Sequence, residues 1–472
     1  MANSAKGSPT KEFFVEILTR DIDLNDAILD LLDNCIDGVI RIKGDSEHND
    51  SFYSGFSADI TINQSSFSIK DNCGGIPRNT AEEYAFRMGR VPTTNTNQAT
   101  IGIYGIGMKR AIFKLGKEAV VHTRNNQEKY SVIIPDSWAS DADNWEFPIE
   151  NNSERNTLEE DGTEIKITKL NDNIADLWSN DDKITSFIEK LKKSIKESYS
   201  LIIQKGFKIT INGNVVVANP VKLLVQKNTE KIGIRPYLFS AQYGDVSVKL
   251  AVGFYAPMAS EDEIDDMNES ERKSSEAGIT VICNDRVVLY NDKSNLTGWG
   301  INGVPHYHTQ FTGIKGIVEF ESNNPSELPM TTTKRGIDHS SSIYIAVKDK
   351  ICEGLKIFTD YTNHWKGRNG SERSYSTIAQ RVEYSQLFSD SAKNDYGLQM
   401  RSDSRSGGDT FRPSLPQPKN DKPYRIIRYS KSIQDIKFLV GFFYGDDEED
   451  ISPSIIGEKC FDKVLAEAKG DE

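Results

Sequence analysis

The sequence predicts an α+β protein built as two packed units with a small C-terminal module. Three observations lead there. Residues 20–170 alternate in the order helix, strand, strand, helix, polar loop, helix, strands, which suits a mixed sheet with helices on one face. A long helical pattern at 184–203 then opens a second series of strands. After Trp365 the chain turns to Ser, Gly, Asn and Pro with few aliphatics, the composition of a linker.

The chain has 472 residues, 37% of them hydrophobic and 27% charged, with a formal net charge of −13. That length asks for more than one domain, and the composition supplies real cores. A field of that sign repels phosphate backbones over most of the surface, which argues against a protein that coats nucleic acid. The five cysteines are scattered with no CxxC spacing, so neither a zinc knuckle nor a disulfide framework is expected. No run approaches the roughly 18 apolar residues of a membrane span. The first 14 residues lack the apolar core of a signal peptide, so a cytoplasmic location and no membrane contact are expected.

In the first unit the helical pattern at 23–41 places Asp23, Asp26, Asp30, Asp33, Asn34 and Asp37 within an arc of roughly 100°. Ile28, Leu31, Leu32, Cys35, Ile36 and Val39 fill the other side. Strands are expected at 58–63, 66–70, 119–124, 130–134 and 163–168, and helices at 80–88 and up to Leu115. In the second unit the pair Asn212-Gly213 predicts a tight hairpin, because both residues accept positive φ. Strands are expected at 246–254, 279–283, 286–290 and 316–320, and a closing helix at 341–365. Residues 366–431 carry 13 Lys and Arg against 7 Asp and Glu, a basic stretch in an acidic chain. The expected division is 1–180, 181–365, a flexible basic linker at 366–424, and a C-terminal module at 425–472.

Four segments could carry chemistry. Asp30, Asn34 and Asp37 are spaced by four and three, one stripe of a helix, where a carboxylate and a carboxamide can position a water and a magnesium ion. Asp71 ends a strand and is followed by Asn72-Cys73-Gly74-Gly75-Ile76, so a carboxylate can meet a flat ligand while the backbone approaches closely. Gly102, Gly105 and Gly107 precede a helix whose N-terminal N–H groups favour phosphate, with Lys109 adding a point charge. Gly162-Thr163 opens a strand with a hydroxyl next to a glycine. Each segment alone also reads as ordinary structure: a solvated acidic helix face, a β-turn, a loop.

In combination these segments resemble the GHKL ATPases, the group of gyrase B subunits, ninety-kilodalton heat-shock chaperones, histidine kinases, MutL and MORC proteins. The family patterns E-x-x-x-N-x-x-D, D-x-G-x-G, G-x-x-G-x-G and G-T correspond here to Asp30/Asn34/Asp37, Asp71/Gly75, Gly102/Gly105/Gly107 and Gly162/Thr163. The resemblance covers roughly residues 20–170. It implies a Bergerat-type α/β sandwich that binds ATP or ADP, followed by a ribosomal-S5-like α+β transducer. It further implies that Asn34 ligates Mg²⁺, that Asp71 accepts from the adenine amino group, and that Gly75 and Ile76 border the base. Gly102, Tyr104, Gly105, Ile106, Gly107, Met108 and Lys109 would wrap the phosphates beneath a lid at 90–101. Asp37 would support the pocket floor and Thr163 the adenine side.

Two departures stand out. The catalytic Glu of the family is Asp30 here, one methylene shorter, so slow hydrolysis is expected. The first glycine of the second motif is Cys73, with Gly74 beside it. The segment from Glu327 to Asp338 resembles the transducer loop of MutL and MORC proteins, which makes Lys334 the candidate for a γ-phosphate contact, with Arg335 second. The nearest likeness is to MORC and its prokaryotic relatives, with chaperone-like proteins beside them. It implies an ATP-gated clamp that forms a homodimer through the ATP domain and acts on DNA or serves in phage defence. Two alternatives stay open: a chaperone or scaffold that docks a protein client, and a non-hydrolysing ATP sensor.

Overall fold

The structure is a computed structural model that describes residues 10–44, 49–87, 106–141, 144–151, 154–228, 231–259, 276–331, 334–367, 369–403, 407–418, 427, 429–445 and 451–470. It is a mixed α+β architecture with two large sheets. The first has eight strands in the order Ile149–Asn151, Glu128–Ile134, Gly116–Asn125, Gly162–Leu170, Phe67–Asp71, Ser57–Ile62, Lys208–Ile211 and Asn214–Val215. The helix Leu24–Lys43 lies on this sheet. Its apolar positions Ala27, Ile28, Leu31, Leu32, Ile36 and Val39 are almost wholly buried, the stripe that a 3.6-residue period predicts.

The first core extends further along the chain than expected. Ser57–Ile62 pairs in parallel with Lys208–Ile211, and the helix Asp181–Ser198 buries Ile184, Phe187, Leu191 and Ile195 in the same core. The cluster ends at Val216, whereas a boundary at 180 was expected. A parallel pairing across 150 residues leaves no trace in local periodicity. The Asn212-Gly213 turn has positive φ at both residues, 47° and 77°, as its sequence predicts.

The second sheet has seven strands in the order Arg286–Asp292, Gly278–Cys283, Ile314–Glu321, Val246–Phe254, Tyr237–Tyr243, Gly408–Phe411 and Arg401–Asp403. The helix Ser342–His364 covers it, burying Tyr344, Val347, Ile351, Leu355 and Phe358. Gly354 lets the helix come close, because a Cβ there would meet Val252 Cγ2 at 2.8 Å.

The stretch expected to be a flexible linker is folded where it is described. Gln380–Glu383 pairs with Lys222–Val225, and Gly408–Phe411 extends the second sheet at Tyr237–Tyr243. Trp365 Nε1 donates to the Pro416 carbonyl at 3.1 Å. These strands are three or four residues long, so their Ser- and Gly-rich surroundings mask them.

The C-terminal helices Ile433–Tyr444 and Pro453–Lys469 pack on each other through Lys459, whose ammonium lies 3.7 Å from the Tyr444 ring centroid, and Lys463, 4.5 Å from that of Phe442. Phe438, Phe442 and Val464 remain mostly exposed. Among the described residues no helix is long and apolar enough to cross a membrane.

A buried polar contact joins the two units. Lys205 Nζ donates to Asp285 Oδ1 at 2.6 Å and Tyr53 Oη to Oδ2 at 3.0 Å. Asp285 sits at φ 64° in the turn between two strands of the second sheet, a conformation Asn also tolerates. Asp285→Asn should therefore keep the turn and strand a buried ammonium, lowering unfolding free energy by about 3 kcal/mol in urea titration.

Candidate active site

The structure encloses a cavity of about 600 Å³ between the helix Leu24–Lys43, the loop after Asp71 and the N-terminus of the helix Gly107–Leu115. Lys334 closes it from the second unit. Asp30, Asn34 and Asp37 all line this cavity. Gly38, one residue beyond, lets the helix lie on the loop, since a Cβ there would meet the Cys73 carbonyl oxygen at 2.5 Å.

Asp71 ends the strand Phe67–Asp71 at the cavity floor. Its Oδ1 accepts from Cys73 N at 2.8 Å and from Thr163 N at 3.3 Å, while Oδ2 lies 3.5 Å from the Cys35 thiol. Burial raises its pKa against the pull of the Cys73 amide and its other donors. Burial also pushes both neighbouring thiols, Cys35 and Cys73, upward. Gly162 is required here for a backbone reason: a Cβ would sit 2.1 Å from the Asp71 carbonyl oxygen.

Gly74 and Gly75 have φ of 85° and 65°. A Cβ on Gly75 would meet the Arg124 carbonyl oxygen at 2.0 Å, so the bare backbone there seats the loop on the neighbouring strand. The Gly75 carbonyl accepts from Arg41 Nη2 at 2.9 Å, and the Ile76 amide donates to Thr123 Oγ1 at 2.8 Å. The loop is thus held from behind. Ile69, Ile76, Met108 and Ile165 give the cavity apolar walls.

Ile106, Gly107, Met108 and Lys109 border the cavity at the helix start, and Ile106 supplies no side-chain cap. The first-turn N–H groups are the kind that favour an anion. Lys109 is buried, with Nζ donating to the Ala85 carbonyl at 2.8 Å, and burial lowers its pKa to about 8. Gly102, Tyr104, Gly105 and the expected lid at 90–101 lie outside the described residues.

Two further residues bear on the site that motif spacing did not single out, Arg110 and Asp33. Arg110 donates to Asp30 Oδ2 through Nε at 3.2 Å and through Nη2. Burial raises the Asp30 pKa, Lys334 and Arg110 oppose it, and Asp33 adds to it. Asp33 is fully buried and is not part of a solvated acidic face. Its Oδ1 lies 3.0 Å from Arg286 Nε and 2.7 Å from Tyr199 Oη, and its Oδ2 lies 2.7 Å from Lys334 Nζ. Lys334 therefore points into the site while paired with Asp33, on a backbone at φ 57°. Arg335 pairs with Asp26 on the same helix.

Burial alone would raise the Asp33 pKa, but Lys334 and Arg286 outweigh it and hold the carboxyl at about 2. A folded pKa below the unfolded value means stability present above about pH 4 and lost as pH falls toward 2. The size of this contribution is about 2 kcal/mol. Urea unfolding between pH 7 and 2 should show this loss in the wild type. Asp33→Asn should start about 3 kcal/mol lower at pH 7 and lack that part of the decline.

No curated protein matches the chain. Residues 22–163 match the family model described as Histidine kinase-, DNA gyrase B-, and HSP90-like ATPase. That segment supplies every cavity residue except Ile165 and Lys334, and the match supports the GHKL superfamily, whose domains bind ATP.

Proposed function

We propose that the chain binds ATP with Mg²⁺ in this cavity and hydrolyses it slowly, as a conformational switch. One observation carries the reading: Asp71, the Asp30–Asn34–Asp37 stripe and an open helix N-terminus converge on one cavity, from segments up to 80 residues apart in sequence. Its volume suits a nucleotide-sized ligand. Asp71 Oδ2 accepts from the adenine amino group, while the Cys73 and Thr163 amides hold Oδ1 in place. Gly75, Ile76 and Thr163 border the base. Ile106, Gly107, Met108 and Lys109 border the phosphates.

The residues present fit a magnesium ion: Asn34 is an exposed residue whose carboxamide carries an oxygen ligand, and it lines the cavity with Asp30 and Asp37. Bound there, the ion neutralises phosphate charge. Asn34 would hold it. Asp30 accepts a proton from the attacking water as the bond from water oxygen to Pγ forms and the bond from Pγ to the ADP oxygen breaks. Asp37 supports the floor.

Lys334 gives the switch its reach. It belongs to a loop of the second unit and now rests on Asp33. A γ-phosphate would compete for the same ammonium, so the nucleotide state biases the position of that loop. On this reading the second unit is an S5-like transducer. Closure would draw two copies together through their ATP domains, with 425–472 as an added module. A DNA target and phage defence follow only from the likeness to MORC proteins. The net charge of −13 favours a protein client over a nucleic acid.

Titration calorimetry with ATP and Mg²⁺ tests the reading. Wild-type protein should give binding heat, and Asp71→Asn should weaken binding about tenfold or more through the lost charged acceptor. Asp30→Ala should keep binding and lose phosphate release. An absence of heat with wild-type protein contradicts the assignment.

A further inference from the structure

Asp30 is held by a cation that neither the motif nor the transducer loop supplies. Arg110 lies on the helix Gly107–Leu115, three residues after the last glycine of the phosphate segment. Both of its hydrogen bonds go to one oxygen of Asp30, Oδ2, from Nε and Nη2. Arg110 and Asp30 are both mostly buried. Gly107 packs against the same carboxylate from the helix start, where a Cβ would lie 3.4 Å from Asp30 Cβ, Cγ and Oδ2. The short carboxylate is therefore gripped on one side, and among the described residues no hydrogen bond engages Oδ1.

A flexible carboxylate one methylene short of the usual Glu would sample many orientations and reach the water rarely. A guanidinium is planar, permanently charged and directional. Two donors on Oδ2 fix the plane of the carboxylate and leave Oδ1 to accept a proton. Arg110 rides on the helix whose N-terminus borders the cavity, and Asp30 on the helix Leu24–Lys43, so the clamp ties the base to the anion-binding backbone across two elements.

We infer that Arg110 is a positioning residue for Asp30, clamping Oδ2 so that Oδ1 serves as the general base. The inference rests on the ATPase reading above. During the reaction the water proton passes to Oδ1, the water oxygen bonds Pγ, and ADP leaves with the electrons of the broken P–O bond. The clamp keeps its hydrogen bonds throughout and touches no phosphate.

A double-mutant cycle separates this role from direct phosphate binding. Wild type, Arg110→Gln, Asp30→Asn and the double variant are compared by calorimetry with ATP and Mg²⁺ and by phosphate release at saturating ATP. The expected result is a fall in kcat of tenfold or more for Arg110→Gln, with ATP affinity within threefold of wild type. Arg110→Lys should recover part of the rate, because it restores the charge without the fork. Arg110→Gln should add nothing in the Asp30→Asn background. Additive losses, or weaker ATP binding with kcat preserved, would overturn the clamp and make Arg110 a phosphate ligand. A wild-type rate in Arg110→Gln would overturn it outright while leaving the ATPase reading intact. Binding without phosphate release in the wild type would remove both hydrolysis and the clamp but keep the nucleotide site. No binding heat at all would remove the site.

Discussion

The buried carboxylate of Asp33 is the contact on which the site depends. It sits on the helix that carries Asp30 and Asn34, and it gathers donors from three distant parts of the chain: Tyr199, Arg286 and Lys334. A buried charge is costly unless its lone pairs are filled, and here they are. The result is rotational as well as energetic. With Asp33 pinned toward the second unit, the adjacent stripe of Asp30, Asn34 and Asp37 must face the cavity. The same contact brings Lys334 to the cavity rim, so one carboxylate sets the helix phase and holds the Lys334 ammonium.

Around that anchor, much of the site is built by backbone proximity. Gly38 touches the Cys73 carbonyl, Gly75 the Arg124 carbonyl and Gly162 the Asp71 carbonyl. At each position a methyl group would push apart two elements that both carry site residues. These glycines let backbones meet, and so they seat Asp71 and its neighbours against the helix and the sheet. Amide donors from Cys73 and Thr163 then fix one oxygen of Asp71, while the other meets only the weak donor of the Cys35 thiol among the described residues. Asp30 repeats this scheme with a side-chain donor, Arg110. Each of the two carboxylates thus has one oxygen held by two N–H donors, and Asp71 Oδ2 also meets the Cys35 thiol.

Much of this was legible in the sequence wherever the signal is local. The spacing of Asp30, Asn34 and Asp37, the Asp71 strand end and the glycine before the helix at 107 are read within a few residues, and all reach one cavity. Asp33 was visible only as one more acid in a polar arc, because its partners lie 166, 253 and 301 residues away. Arg110 stands beside Lys109 and has no spacing of its own; only the packing of two helices gives it a partner. The segment at 366–424 was misread for a related reason. Its strands are short and lie at a sheet edge or next to one, and their pairing with Lys222–Val225 and Tyr237–Tyr243 is entirely non-local. Composition reports how much apolar surface a segment owns, and an edge strand borrows most of its burial from neighbours.

The most direct test of the whole account is a structure of the protein with Mg²⁺ and a non-hydrolysable ATP analogue. The account requires the adenine amino group on Asp71 Oδ2, the phosphates at the start of the helix Gly107–Leu115, and the Lys334 ammonium moved from Asp33 to the terminal phosphate. A nucleotide bound elsewhere, or Lys334 unmoved on Asp33 with the terminal phosphate in place, would contradict it.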